Sequence, residues 1–143
     1  MSAGRVARLG ALLATAIASA GCSRQGADSP PDPPAVLEPH PGAQLPTVKL
    51  SPAGFNAVRV QTTPVQATAQ GLVIPATAVV YSPDGAAWTY VMVGARSYLR
   101  HTIVIDRSDG AETVLSSGPA AGTPVVTIGA PELLGTEYGV GEE

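Results

Sequence analysis

Short apolar runs alternate with turn residues throughout the stretch from Gly71 to Gly129, and no other feature constrains the fold as strongly. Val, Ile, Thr and Tyr recur in these runs, and all four favour strands. The runs are Leu72–Ile74, Ala78–Tyr81, Trp88–Val93, Leu99–Ile105, Thr113–Leu115 and Val125–Ile128. Asp84-Gly85 and Asp109-Gly110 are hairpin-turn dipeptides, because glycine adopts positive φ without strain. The pattern predicts an all-β (mainly β) roll, sandwich or barrel with one or two short helical turns.

The strand runs also predict which side chains form the core. Trp88 is the single tryptophan of the chain, and we expect it to be the core aromatic residue. Because side chains alternate along a strand, Trp88 shares one face with Tyr90 and Met92. The residues expected to point inward from the next run are Leu99, Ile103 and Ile105.

The composition limits the classes of function. The chain has 143 residues, which is room for one small domain. Its formal charge is −3, and this balance opposes sequence-independent nucleic-acid binding, which depends on clustered Lys and Arg. We therefore expect no nucleic-acid partner. The single cysteine, Cys22, excludes an internal disulfide.

The N-terminus has the pattern of an export signal. Residues 1–8 carry two arginines and no acid, and the apolar run Leu9–Ala18 is too short to span a bilayer. The sequence Ser-Ala-Gly-Cys at 19–22 resembles a bacterial lipobox, in which the cysteine is acylated. Cleavage after Ala20 is the alternative, since Ala18-Ser19-Ala20 also fits an ordinary signal. We expect a signal peptide at 1–21 and lipidation of Cys22, because an unpaired cysteine is unusual in an exported protein.

Proline clusters follow the predicted lipid site. Residues 28–34 and 38–42 are rich in proline, which removes backbone donors and fixes φ. Such segments favour extended polyproline II and hold a domain away from its anchor. We therefore expect a disordered tether at 22–46, the folded domain at 47–140 and a short tail at 141–143.

Local patterns predict the first elements of the domain. Thr47–Leu50 has the composition of a short strand, and Ser51-Pro52 is a helix start with Ser51 as N-cap. The alternation in Val58–Thr62 predicts a half-buried strand with Val58 and Val60 facing the core. Residues 66–70 are expected to be a connection. Near the C-terminus, Pro131–Leu134 is expected to form a single helical turn that ends at Gly135.

Two groups of motifs occur in a fixed order along the chain. The first group is Val48–Pro52 and Val58–Val65. The second group is Val73–Val79, Trp88–Val91, Asp106-Arg107, Leu115–Gly118, Gly122–Val126 and Gly129–Val140. In order and spacing, the first resembles the opening segment, and the second the membrane-proximal C-terminal domain, of periplasmic adaptor subunits of RND-type efflux pumps, the membrane-fusion proteins. The resemblance implies an exported, lipid-anchored protein on the periplasmic side of the envelope. It also implies an RND-type transporter or full-length adaptor subunits as partners.

The chain departs from this family in one respect. Full adaptors insert a lipoyl-like domain, a helical hairpin and a β-barrel after the opening segment, whereas here about ten residues separate Val60 from Leu72. The resemblance therefore implies a free-standing membrane-proximal domain, and the bridging role of the family is not carried over.

Residues that could carry chemistry are few. No zinc-ligand spacing is formed by the two histidines, His40 and His101, and Cys22. No serine has the His and Asp partners of a catalytic triad. We expect no enzyme activity, no metal and no cofactor. The expected function is an accessory protein-binding module of an efflux system; the alternative is a lipoprotein that binds a small ligand in the concavity of the roll. The residues predicted to contact a partner are Arg96, Tyr98, Arg100 and Arg107, because Arg and Tyr are favoured at interfaces.

Overall fold

The computed structural model describes residues 31–140. The predicted signal peptide, the predicted lipidation of Cys22 and the predicted tail at 141–143 lie outside the described residues. The strands are β1 Ala35–Glu38, β2 Thr47–Leu50, β3 Gln61–Pro64, β4 Gln66–Thr68, β5 Gly71–Pro75, β6 Val80–Tyr81, β7 Ala87–Gly94, β8 Ser97–Thr102, β9 Val104–Ser108, β10 Glu112–Ser117 and β11 Pro124–Ile128. The helices are α1 Pro52–Val58 and α2 Ala130–Glu137, with a 3-10 turn at Ala76–Ala78.

Two antiparallel sheets form the domain, so the prediction of a mainly β fold with short helices is confirmed. The large sheet has seven strands in the order β1-β2-β8-β7-β11-β3, with β6 paired to β7. The small sheet has the order β4-β5-β10-β9. Both predicted hairpins are present, since β6 pairs with β7 across Asp84-Gly85, and β9 pairs with β10 across Asp109-Gly110.

Buried side chains cover both faces of the large sheet. We call the first set the helix-side core: Val48, Leu50, Val60, Val80, Tyr90, Tyr98, Val126, Ala130 and Leu133. We call the second set the inter-sheet core: Val65, Ile74, Ala78, Val91, Ile103, Leu115 and Val125. Neighbours such as Tyr90 and Val91 belong to different cores because successive side chains of a strand point to opposite faces. The domain is therefore layered as helices, large sheet and small sheet.

The folded part of the chain begins earlier than predicted. Ala35–Glu38, placed in the disordered tether by its flanking prolines, forms β1 and pairs with β2. The backbone N–H of Ser51 donates to the carbonyl of Pro34 at 2.9 Å, which extends this attachment beyond the strand. The approach depends on Gly54 in α1, where a Cβ atom would overlap the carbonyl oxygen of Pro34. The tether prediction is thus wrong for residues 35–38, because a short segment between prolines can pair with a free sheet edge.

The region around Val58 also differs from its prediction. Ser51 is the N-cap of α1 as predicted, and its Oγ accepts the Gly54 N–H at 3.0 Å. Val58, however, ends this helix, and Arg59 follows in the left-handed conformation at φ 56°. Val58 and Val60 do contact the helix-side core, although no strand holds them there. Residues 66–68, expected to be a connection, form the edge strand β4.

Two predicted elements have different lengths in the structure. The run Leu99–Ile105 is divided between β8 in the large sheet and β9 in the small sheet, and the buried Ile103 lies at the change of sheet. The helix predicted to end at Gly135 continues to Glu137. Tertiary contacts described below extend it, since short helices in proteins depend on packing more than on propensity. Among residues 31–140, no helix is long and apolar enough to cross a membrane.

Candidate functional site

A buried cation lies where the large sheet meets α2. Arg100, on the helix side of β8, places Nη2 3.0 Å from Oε1 of Glu137, the last residue of α2. Their side chains are only 7% and 6% exposed. The Tyr90 hydroxyl on β7 donates to the second carboxylate oxygen of Glu137 at 2.6 Å. Nη1 of Arg100 donates to the Tyr138 hydroxyl at 3.1 Å. We call these four residues, Tyr90, Arg100, Glu137 and Tyr138, the arginine cluster.

Aromatic rings enclose the guanidinium of the arginine cluster. Arg100 Cζ lies 4.5 Å from the centroid of the Trp88 ring and 5.5 Å from that of Tyr138. Both distances are within the range of cation–π attraction, which favours Trp most strongly. Trp88 is oriented in turn by its indole N–H, which donates to Ser82 Oγ at 3.0 Å. Ser82 also donates to the Asp84 carboxylate in the turn that follows β6.

Burial and hydrogen bonding shift the titration of this region. Burial, and then the hydrogen bond to Glu137, raise the pKa of Tyr90 far above its usual value, so its phenol is neutral throughout the physiological range. Burial acts to lower the pKa of Arg100, but the hydrogen bond to Tyr138 and the charge of Glu137 outweigh it and raise that pKa. At the rim, the hydrogen bond from Ser82 lowers the pKa of Asp84.

The arginine cluster is built to hold α2 rather than to react. The positive charge of Arg100 is neutralised by Glu137. One carboxylate oxygen of Glu137 pairs with the guanidinium, and the other accepts the hydrogen bond from Tyr90. Arg100 Nε is buried without an acceptor among the described residues, and it is not accessible to a ligand. Surface hollows of about 310 and 400 Å³ are both lined in part by Trp88 and Arg100.

Two of the four residues predicted to contact a partner are buried, although the prediction assumed that they are exposed. Tyr98 is 1% exposed and belongs to the helix-side core, and Arg100 is 9% exposed within the arginine cluster. The alternation argument correctly placed Tyr98 and Arg100 on one side of β8, but the helix-side core and the arginine cluster bury that side. The inward set predicted for the opposite side is confirmed, since Ile103 is buried and Leu99 packs against the inter-sheet core. Both sides of β8 are therefore covered.

Arg96 and Arg107 remain exposed, in different sheets. Arg96 lies in the β7–β8 turn at φ 54° and its Nε donates to the carbonyl of Leu50 at 3.2 Å. Arg107 lies on the edge strand β9, where its guanidinium contacts Asp106 at 3.5 Å and also reaches Gln70. The structure does not bring the four predicted residues together on one surface.

Sequence reasoning missed the residues that anchor the C-terminal helix. The sequence assigned no role to Glu137, and it placed Tyr90 only on the strand face that carries Trp88. Trp88 was predicted to be the core aromatic, whereas it is partly buried beside the helix-side core. Tyr90 and Tyr98 are the fully buried aromatic residues. A buried arginine needs a buried acid, so once Arg100 is placed inward, Glu137 becomes the residue to look for.

No metal site is found in the part of the chain that the structure describes, since no three His, Cys, Asp or Glu side chains there are grouped to hold an ion. Comparisons of the chain with protein-family models, with curated proteins and with solved structures found no match.

Proposed function

We propose that this chain is a non-enzymatic lipoprotein that acts as an accessory protein-binding module of an RND-type efflux system. In this proposal, acylated Cys22 anchors it on the periplasmic side of the envelope, and the domain of residues 35–137 contacts the inner-membrane transporter or its full-length adaptor. The motifs that resemble membrane-fusion proteins suggest this function.

The pairing of β3 with β11 is the observation that carries the proposal. β3 belongs to the motifs that resemble the opening segment of adaptors, and β11 to those that resemble their last domain. The two strands pair antiparallel from Gln61↔Ile128 to Pro124↔Pro64. β2, from the same opening segment, pairs with β8. The segments that resemble the opening and the last domain of adaptors therefore pair within one domain. This pairing supports the proposal that the module folds without the domains that full adaptors insert between them.

The alternative of a small-ligand binder has less support. A ligand in the concavity of the roll needs space between the two sheets. That space holds side chains of the inter-sheet core, among which Ile74 and Val125 are 0% exposed and Leu115 is 2% exposed. The hollows beside Trp88 are open to the surface and are not enclosed between the two sheets.

The exposed edge of the small sheet is the surface that best fits a protein partner. β9 has no neighbour on its outer side among the described strands, and four of its five residues are exposed. An edge strand offers unpaired backbone groups to which a partner can add. Arg107 supplies an exposed guanidinium there, and its pairing with Asp106 is a surface ion pair that contributes little to stability.

Co-purification tests the proposed function. The full chain, extracted with mild detergent from membranes of the cells that produce it, should carry an RND-type transporter or adaptor identified by mass spectrometry. Arg107→Ala should lower the recovered partner about tenfold without changing the melting temperature. Lys49→Ala, which removes an exposed cation from the large sheet, is the matched control and should not.

The anchor has a separate test. Cys22→Ser should move the protein from the membrane to the soluble exported fraction. Recovery of no RND-type component with the wild-type chain would contradict the accessory-module proposal. A wild-type chain that is soluble and lacks acyl groups would contradict only the anchor.

A further inference from the structure

The turn between β7 and β8 projects beyond both layers that cover the large sheet. Residues 92–96 are all exposed, and we call them the hairpin tip. Met92 and Val93 are 40% and 43% exposed, and the pairing of β7 with β8 is irregular between Met92 and Gly94. Neither the helices nor the small sheet therefore buries the hairpin tip, and two of its apolar side chains face solvent.

The hairpin tip lies beside the place where the chain enters the domain. The backbone N–H of Leu50 donates to the carbonyl of Arg96 at 2.9 Å, and the next residue, Ser51, donates to Pro34 at 2.9 Å. A hollow of about 300 Å³ is lined by residues of both segments, including Pro33, Val36 and Arg96. Val36 adds a third partly exposed apolar side chain, at 39%.

The distance to the proposed anchor is short. Asp32 lies ten positions after Cys22, and an extended chain advances at most about 3.3–3.6 Å per position, or roughly 35 Å in total. An acylated Cys22 would thus keep this end of the domain close to a bilayer. A tethered apolar surface meets the bilayer at high effective concentration, so weak apolar contacts suffice for association.

We infer that the hairpin tip is a membrane-contact surface, which inserts Met92 and Val93 into the interface of the lipid bilayer. The inference rests on the lipid anchor of the proposed function. Arg96 would then lie at the level of the headgroups, where an arginine keeps its charge hydrated while its stem covers apolar surface. The transporter contact proposed for β9 belongs to the other sheet, so the two surfaces are separate.

The charges beside the hairpin tip predict how binding depends on lipid. Arg96 and Lys49 are balanced by Asp32 and Glu38 around the same hollow. Apolar insertion, and not attraction to anionic lipid, should therefore dominate. Replacing part of the phosphatidylcholine in a vesicle by phosphatidylglycerol should change the contact less than about twofold.

Fluorescence quenching by brominated phosphatidylcholine tests the inference on the full chain in vesicles. Trp88, the single tryptophan, is replaced by Phe, which keeps an aromatic ring beside Arg100. A new fluorophore is then introduced by Met92→Trp in one protein and by Val104→Trp in the other. Val104 is 52% exposed on β9 and serves as the matched control. Met92→Trp should be quenched about threefold more than Val104→Trp.

The outcomes separate the membrane contact from the anchor. Mass spectrometry of the mature N-terminus reports acylation of Cys22, and thermal melting reports whether each variant is folded. An acylated chain with equal quenching at both positions overturns the membrane contact and keeps the anchor. An unacylated chain in which Met92→Trp is still quenched preferentially keeps the contact and removes the anchor. As a second readout with Trp88 intact, vesicles should slow hydrogen exchange at residues 92–96 of the wild-type chain, and unchanged exchange there also counts against the contact.

Discussion

The two faces of the large sheet are stabilised in different ways. The inter-sheet core consists of aliphatic side chains from strands distant in sequence, such as Ile74 on β5 and Val125 on β11. The helix-side core borders the arginine cluster, where an ion pair and a tyrosine hydroxyl are almost completely buried. Apolar contacts are non-directional, whereas buried polar contacts require one geometry. The inter-sheet core therefore contributes mainly stability, and the arginine cluster fixes where α2 lies.

The low intrinsic stability of α2 explains why the helix needs the contacts of the arginine cluster. Gly129 is its N-cap and offers no side-chain hydrogen bond, and Gly135 lies inside the helix, where glycine is unfavourable. Only Ala130 and Leu133 of α2 are fully buried. With so little apolar contact, the hydrogen bonds and ion pair of Glu137 hold the end of the helix against the sheet.

The largest expected effect is therefore on the arginine cluster. Glu137→Ala leaves the guanidinium of Arg100 buried without its counter-charge, and we expect a loss of about 3–5 kcal/mol in the free energy of unfolding. Chemical denaturation of the purified chain measures it. Glu38→Ala is the control, because its ion pair with Lys49 is 47% exposed on both sides and should contribute less than about 1 kcal/mol.

A double substitution sharpens this contrast. Replacing both Arg100 and Glu137 by Leu removes the buried charges together, and such replacements are often neutral or stabilising. Stability should recover relative to Glu137→Ala, while hydrogen exchange of α2 becomes faster because its position is no longer fixed. A double variant as unstable as Glu137→Ala would show that the unpaired charge is not the cause.

The stability that the inter-sheet core contributes should depend only on the volume of the side chains that fill it. Ile74→Ala removes a fully buried side chain, and we expect a loss of about 3 kcal/mol from transfer and cavity terms. Ile74→Val, which keeps the shape, should lose only about 1 kcal/mol. The ratio between the two variants should be the same in low and high salt. A strong salt dependence would contradict the assignment of this core as purely apolar.

A smaller effect is expected from the tyrosine of the arginine cluster. Tyr90→Phe removes a hydrogen bond to a charged carboxylate and should cost about 2 kcal/mol at neutral pH. Because burial raises the pKa of folded Tyr90 above the ordinary value of 10.0, the unfolded chain loses this proton first. The stability that Tyr90 contributes is thus present below about pH 10 and falls as the pH rises further.

The free energy of unfolding, measured between neutral and strongly alkaline pH, tests whether the contribution of Tyr90 falls as the pH rises. The alkaline decline should be shallower in Tyr90→Phe than in the wild type, by up to about 1.4 kcal/mol per pH unit. Burial also raises the pKa of Tyr98, so some decline should remain. Equal slopes for the wild type and Tyr90→Phe would mean that Tyr90 is not protected from ionisation.

Local signals in the sequence predicted the elements that depend on local physics. Ser51-Pro52 predicted the start of α1, and the two Asp-Gly turns predicted their hairpins, because caps and turns are set by a few adjacent residues. The alternation within β7 correctly grouped Trp88 with Tyr90. These predictions needed no knowledge of what lies across the sheet.

The missed features all depend on a partner distant in the chain. β1 exists because β2 offers an edge, and no pattern within Ala35–Glu38 reveals that edge. Tyr98 and Arg100 were predicted to contact a partner because Arg and Tyr are favoured at interfaces, and the residues that bury them, such as Val48 and Glu137, lie far away in the chain. Whether an arginine is buried depends on its tertiary contacts, and for this reason the sequence alone placed Arg100 at the surface.

Photo-crosslinking from β9 tests the central claim, contact with an RND-type transporter or adaptor, most directly. A photo-reactive amino acid is placed at Arg107 in cells that produce the full chain, and a second protein carries it at Ile128, which is 46% exposed on the large sheet. We predict an adduct with an RND-type transporter or adaptor from position 107 and none from position 128. The absence of any such adduct at position 107, or equal adducts at both positions, would contradict the account.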